Sequence, residues 1–152
     1  MDKIATYKIF PDLRLHIEVF QGPLNIADLI ELKNIEILDD SYNPNYNGIV
    51  SIEGVQINVK TKEDFAKYIE SIKNDFRIIG NRRSAILTKT PGQVVAGVLY
   101  ERAVKEFPMN FKIVSTIKAA LEWINISYDF ESLIFNNIEL MKKVQPKNAL
   151  KQ

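Results

Sequence analysis

Cysteine is absent from the 152 residues, and histidine occurs once. The first absence removes disulfides, thiolate zinc sites and cysteine nucleophiles together. The second means that any Ser-His-acid triad or imidazole metal site would run through His16 alone. No apolar run approaches the roughly 20 residues a membrane helix needs. The opening MDKIATYKIF has charges at positions 2 and 3 and no apolar stretch of signal-peptide length. The expectation is a soluble cytoplasmic protein of one domain, a size at which folding hides about 68–70% of the unfolded surface without covalent staples.

Net charge is +1 but unevenly spread: residues 1–76 carry 8 Lys/Arg against 13 Asp/Glu, and residues 77–152 carry 12 against 6. Such asymmetry steers partners or aligns two copies head to tail, although surface charge also drifts this way by chance. Two adjacent arginines without a basic stripe, at this net charge, point away from nucleic acid.

Periodicity lays out the elements. ATYKIF, a Pro11-Asp12 turn and LRLHIEVF read as an N-terminal β-hairpin. In its second strand Leu13, Leu15, Ile17 and Val19 alternate with Arg14, His16, Glu18 and Phe20, the pattern of a half-buried strand with one more polar face. In GPLNIADLIELKNIEILDD, Asn25 caps a helix, Asp28 stands at N3, and Ile26, Leu29, Ile30 and Ile37 form the expected buried stripe. The Asn-rich loop SYNPNYNG leads to the strand IVSIEGVQINV, bulged at Gly54. Thr61 caps KEDFAKYIESIKNDF, where Phe65, Tyr68, Ile69, Ile72 and Phe76 recur at helical spacing. SAILT is a short, continuous apolar strand, as suits a sheet covered on both faces. GQVVAGVLYERAVKEF is a third helix with Val94, Val95, Val98 and Leu99 inward, and Gly97 inside it marks a close approach. FKIVS, then TIKAALEWI capped by Ser115 or Thr116, then YDFESLIFNNIELMKKV complete the chain. In the last, Phe130, Leu133, Ile134, Ile138 and Met141 share a face. The order β-β-α-β-α-β-α-β-α-α requires crossover connections, hence a mainly parallel sheet of about five strands flanked by helices.

Within FKIVSTIKAALEWI, residues Phe111 and Ile113 of the strand and Ala120, Leu121, Trp123 and Ile124 of the helix match an Ala-Leu-x-Trp-Leu signature. By these residues the chain resembles the SpoIIAA-like proteins, which belong with the STAS domains and are related in fold to the lipid-binding Sec14 (CRAL-TRIO) proteins. RRSAILT and the following VVAGVLYERAVKEFPMNFKIV are similar to small bacterial proteins of this type, and the resemblance spans about residues 4–125. It implies a SpoIIAA-like/STAS-like α/β sandwich over residues 1–127. A C-terminal helix over 128–145 then packs on the domain or on a dimer partner, and a frayed tail covers 146–152. These are packing motifs and speak to fold before activity. The best-known relatives are anti-anti-sigma factors, phosphorylated on a serine in an Asp-Ser-Ser-Gly-like stretch. The matching stretch here is INVKTKED, whose single hydroxyl, Thr61, reads first as an ordinary N-cap.

The corner LTKTPGQVV lies where a parallel strand gives way to a helix, the usual place for ligands in open α/β sheets. It has one glycine, and Lys89 precedes it, so it is no Walker loop; Thr90 and Pro91 read as cap and first turn. Thr88, Lys89, Thr90 and Gln93 are candidate anion or partner contacts, with a plain fold junction as the competing reading. Arg82 and Arg83 have the donor geometry to grip phosphate or carboxylate bidentately, against an ordinary solvated position beside a strand. His16 reads as a structural or surface histidine rather than a catalytic one. Glu36, Asp39 and Asp40, followed by Asn43, Asn45 and Asn47, lack the register of a calcium loop and read as a solvated helix end.

The expected function is non-catalytic: a cytoplasmic binding or regulatory module that recognises a protein partner through the loop surfaces around Thr61 and Thr88–Gln93. Self-association as a homodimer belongs to the same reading, and no cofactor, metal or nucleic acid is expected. The Sec14-like resemblance implies an alternative, a carrier of a small apolar molecule or lipid, which requires an enclosed apolar pocket of about 300–1,000 Å3. An enzyme ranks third, for want of a cysteine, a well-placed histidine or a catalytic motif.

Overall fold

The computed structural model describes residues 2–143; the tail expected at 146–152, and the last two residues of the helix expected at 128–145, lie outside them. Five strands form one sheet in the order of the chain: β1 (Ile4–Phe10), β2 (Leu15–Gly22), β3 (Asn47–Val55), β4 (Arg82–Leu87) and β5 (Met109–Val114). β1 and β2 pair antiparallel, Ile4 opposite Gln21 and Phe10 opposite Leu15; the other pairings are parallel. The helices are α1 (Ile26–Glu36), α2 (Ala66–Asn74), α3 (Pro91–Ala103), α4 (Ile117–Ile124) and α5 (Glu131–Met141). The α/β class, the element order and the mainly parallel sheet are those expected. No helix among the described residues is long and apolar enough to cross a membrane.

Three crossovers step across the sheet in one direction, so their common right hand places α1, α2 and α3 over one face. α4 and α5 pack on the other. Alternation along the strands then sorts the side chains. Leu15, Ile17, Ile49 and Leu87 join Leu121, Ile124, Ile134 and Ile138 in the core beneath α4 and α5. His16, Glu18, Phe20, Val50 and Ile86 face α1–α3. β2, expected to be half-buried, is therefore covered on both sides: His16 is 4% exposed and Leu15 0%. Its alternation reported polarity, and the crossover helices decide that the polar face is interior.

Several faces differ from the periodic reading. In α1 the fully covered positions are Leu32, Lys33 and Glu36, while Ile26, Leu29 and Ile30 are only partly buried. The capping box is as expected, with the Asp28 N–H donating to Asn25 Oδ1 and the Asn25 N–H to Asp28 Oδ2. In α3 the inner positions are Gln93, Ala96 and Gly97, and Val94 and Val95 face solvent. α3 lies so close to the sheet that a Cβ on Gly97 would stand 2.8 Å from Ile113 Cγ1. Phe76 falls beyond the end of α2 and is exposed. Phe130 and Leu133 sit partly in solvent because the buried stripe of α5 is narrow, made by Ile134, Ile138 and Met141. β3 ends at Val55, four residues short of the expected strand, and the chain then leaves the sheet. The bulge expected near Gly54 is present: Val19 and Gln21 of β2 pair with Ser51 and Gly54 of β3.

Candidate functional site

Between the sheet and α1–α3 lies a cavity of about 270 Å3. Its walls are apolar: Phe20, Val50, Ile86 and Phe111 from the strands, Leu24 and Leu29 around α1, Phe65 before α2. Ala96 and Gly97 on α3 and Gly48 on β3 are among its lining residues, and a Cβ at Gly97 or Gly48 would already meet Ile113 or Ser84, at 2.8 and 2.9 Å. The segment that leaves β3 forms part of its lining. Gln56, Ile57, Asn58 and Val59 all border it, Ile57 and Val59 partly buried and Gln56 and Asn58 exposed. Tyr100 closes one end, edge-on to Phe65 (ring centroids 5.3 Å) and Phe111 (5.0 Å), and its hydroxyl donates to Tyr68 Oη at 3.2 Å.

The lining also carries His16, Glu18, Lys33 and Arg82, with Glu36 and Tyr42 packed behind them outside the lining itself. Glu18 of β2 pairs with Lys33 of α1 at 2.7 Å, and Lys33 also reaches Glu36 Oε2 at 3.5 Å. His16 stacks on Tyr42, with ring centroids 5.0 Å apart and planes within 9°, and its Nε2 accepts from the Asn43 N–H at 3.5 Å. Its Nδ1 lies 3.8 Å from Glu36 Oε1, which has no hydrogen bond. Burial, then the charge of Lys33, pulls the His16 imidazole down to about 3, so it is neutral at physiological pH. Burial and the neighbouring Glu18 charge push Glu36 up to about 8, against the opposing pull of Lys33. Burial alone would lower Lys33, but Glu18 and Glu36 outweigh it and raise its pKa.

Arg82, which opens β4, belongs to the same lining. It is 8% exposed, a correction to the solvated position expected from its place beside a strand. A single nitrogen, Nη1, makes both of its side-chain bonds, to the Pro44 and Ile78 carbonyls at 2.9 Å each. Those bonds hold the Asn-rich loop and the chain before β4 in place. Gly80 lies in the same crowded turn, where an added Cβ would fall 2.0 Å from the Pro44 carbonyl oxygen.

The other candidates are scattered. Arg83 is exposed, its guanidinium 4.8 Å from the Trp123 ring centroid on the opposite face of the sheet. Thr61 is exposed at the start of a short 3-10 turn; the Asp64 carboxylate accepts from the Lys60 and Thr61 N–H groups. At the corner before α3, Thr88 is buried and donates to the Val114 carbonyl. Gln93 is buried as well. Its Oε1 accepts from the Lys89 and Thr90 N–H groups, and its Nε2 donates to the Glu53 and Val55 carbonyls at 3.0 and 3.2 Å. Gln93 thus ties α3 to β3, while Lys89 and Thr90 stay at the surface. Nor is the end of α1 a solvated acidic cluster. Glu36 is 0% exposed, and Asp39 accepts from the Tyr7 hydroxyl at 2.8 Å.

Glu18, Lys33 and Glu36 were not singled out from the sequence as a site. The available signal was local: charged residues at 18, 33 and 36 interrupt apolar strand and helix patterns. Compared with protein-family models, curated proteins and solved structures, the chain returns no match.

Proposed function

We propose that the chain is a non-catalytic binding module of SpoIIAA-like, STAS-related type, and that its ligand is a small, mostly apolar molecule held between the sheet and α1–α3. The observation that carries this reading is a partly open cavity of about 270 Å3, just under the roughly 300 Å3 at which small-molecule pockets begin, with apolar walls and a group of charged residues in its lining. Concave apolar pockets with a few placed polar groups are the ordinary form of small-molecule sites. A space just under the lower bound of ordinary small-molecule pockets suits one compact ligand rather than a two-chain lipid. The carrier reading therefore takes precedence over recognition of a protein partner at the Thr88–Gln93 corner, where the Thr88 and Gln93 side chains are committed to internal bonds. His16 is stacked and hydrogen-bonded inside the fold, which favours a structural role over catalysis.

Native mass spectrometry of the purified chain, alone and with small apolar compounds such as indole and 1-octanol, tests the proposal. The wild type is expected to carry a small adduct or to bind a member of the panel. Ala96→Phe, which fills the cavity from α3, is expected to keep the fold and lose that binding. A wild type that binds none of them, or an Ala96→Phe variant that binds undiminished, would refute the reading.

A further inference from the structure

The cavity is lined by a buried cation, Arg82, that sits in no ion pair, although the Glu18 and Glu36 carboxyls lie near enough to feel its charge. Among the described residues Glu18 is paired with Lys33, which also takes Glu36, and Arg82 forms no ion pair. Its two side-chain bonds go to neutral carbonyls through Nη1; Nε and Nη2 have no protein acceptor and are not sealed from accessible space, since Glu36 Oε1 and Tyr42 Oη are the fully enclosed unpartnered side-chain atoms among the described residues. Buried charges are ordinarily paired, because an isolated ion loses its hydration with nothing in return. Guanidinium is always charged and offers parallel donors that match a carboxylate.

Resting on the cavity reading above, we propose that the ligand is a compact amphipathic monocarboxylate, its apolar body lying among Phe20, Leu29, Val50 and Phe111 and its carboxylate on the Arg82 guanidinium. The charge balance selects a single negative charge. Lys33 is already engaged by Glu18, and a phosphate dianion on Arg82 would add a second charge close to the Glu18 carboxylate. A cationic head would meet Arg82 and Lys33 in the same confined space, and a neutral head would leave Arg82 without a counter-ion. The size sets the body: a cavity of about 270 Å3, under the usual small-molecule range, suits a short single chain such as eight carbons with a head group.

Octanoate, 1-octanol and octylamine share that body and differ in the head. Isothermal titration at pH 7 is expected to show octanoate binding at least ten-fold more tightly than either of the others. Arg82→Gln is expected to level the three. Because Arg82 also holds the Pro44 and Ile78 carbonyls, Arg82→Lys serves as a second variant that keeps a charged donor. It should remain folded and lose several-fold in octanoate affinity alone. Octanol or octylamine binding as tightly as octanoate would overturn the carboxylate assignment and leave the cavity reading intact. Failure of all three to bind would overturn both.

Discussion

Glu36 has 0% of its surface exposed, and its Oε1 lacks a hydrogen bond. A carboxyl in that position holds its proton: burial and Glu18 push it up to about 8 from an ordinary 4.5, with Lys33 and Arg82 opposing. Between those values the folded chain binds a proton that the unfolded chain has released, so stability falls as pH rises toward 8 and levels off beyond. His16 acts in the opposite sense. Drawn down to about 3 from 6.5, it refuses a proton that the unfolded chain accepts, so stability is lost as pH falls below 6.5. Between 4.5 and 6.5 the two slopes oppose, and above 6.5 Glu36 governs. Urea denaturation should therefore show wild-type stability declining from pH 6.5 to 8, by at most about 1.4 kcal/mol per pH unit. Glu36→Gln should be flat across that window. A wild-type curve that is itself flat there would mean that Glu36 titrates as an exposed acid. None of this is visible in ELKNIEILDD, where Glu36 looks like any acid near a helix end; burial alone distinguishes it from Asp40.

α3 shows how an element can be placed correctly and turned the wrong way. Its N-terminus was legible because a capping box is closed within four residues: Thr90 accepts from the Gln93 N–H, and Gln93 reaches back to the Thr90 N–H. Its buried face was legible only at Gly97, whose place inside the helix marked a close approach. Hydropathy selects Val94, Val95, Val98 and Leu99, whereas the sheet requires a donor at 93 for the Glu53 and Val55 carbonyls and a residue without a side chain at 97 against Ile113. Both demands come from strands far away in sequence. Gln93→Ala should destabilise the fold by about 2–3 kcal/mol, since it opens the cap and leaves two carbonyls without their donor. Thr90→Ala loses the cap alone and should cost about 1 kcal/mol. Equal losses in chemical denaturation would show that the contacts of Gln93 to β3 contribute nothing.

The two faces of the sheet are built to different ends. Beneath α4 and α5 it is a continuous aliphatic core, and α5 supplies Ile134, Ile138 and Met141 to it. Each such side chain is worth about 2–5 kcal/mol, against a total of about 5–15 for a domain. A chain ending at residue 127 should therefore lose its cooperative melt by circular dichroism and elute as aggregate in gel filtration. A truncated chain melting like the full one would mean that α5 is an accessory. The opposite face trades aliphatic packing for the cavity and its charged lining residues. The hairpin, the crossovers, the caps and the parallel sheet were all readable from residues close together in the chain, because period, turn chemistry and capping act over a few positions. The grouping of Glu18, Lys33, Glu36 and Arg82 was not readable, because β2, α1 and β4 bring them together only once the crossovers have closed over the polar face of the sheet. Whether a charged side chain meets water or another charge depends on what packs above it, and that is a property of distant segments rather than of its neighbours in the chain.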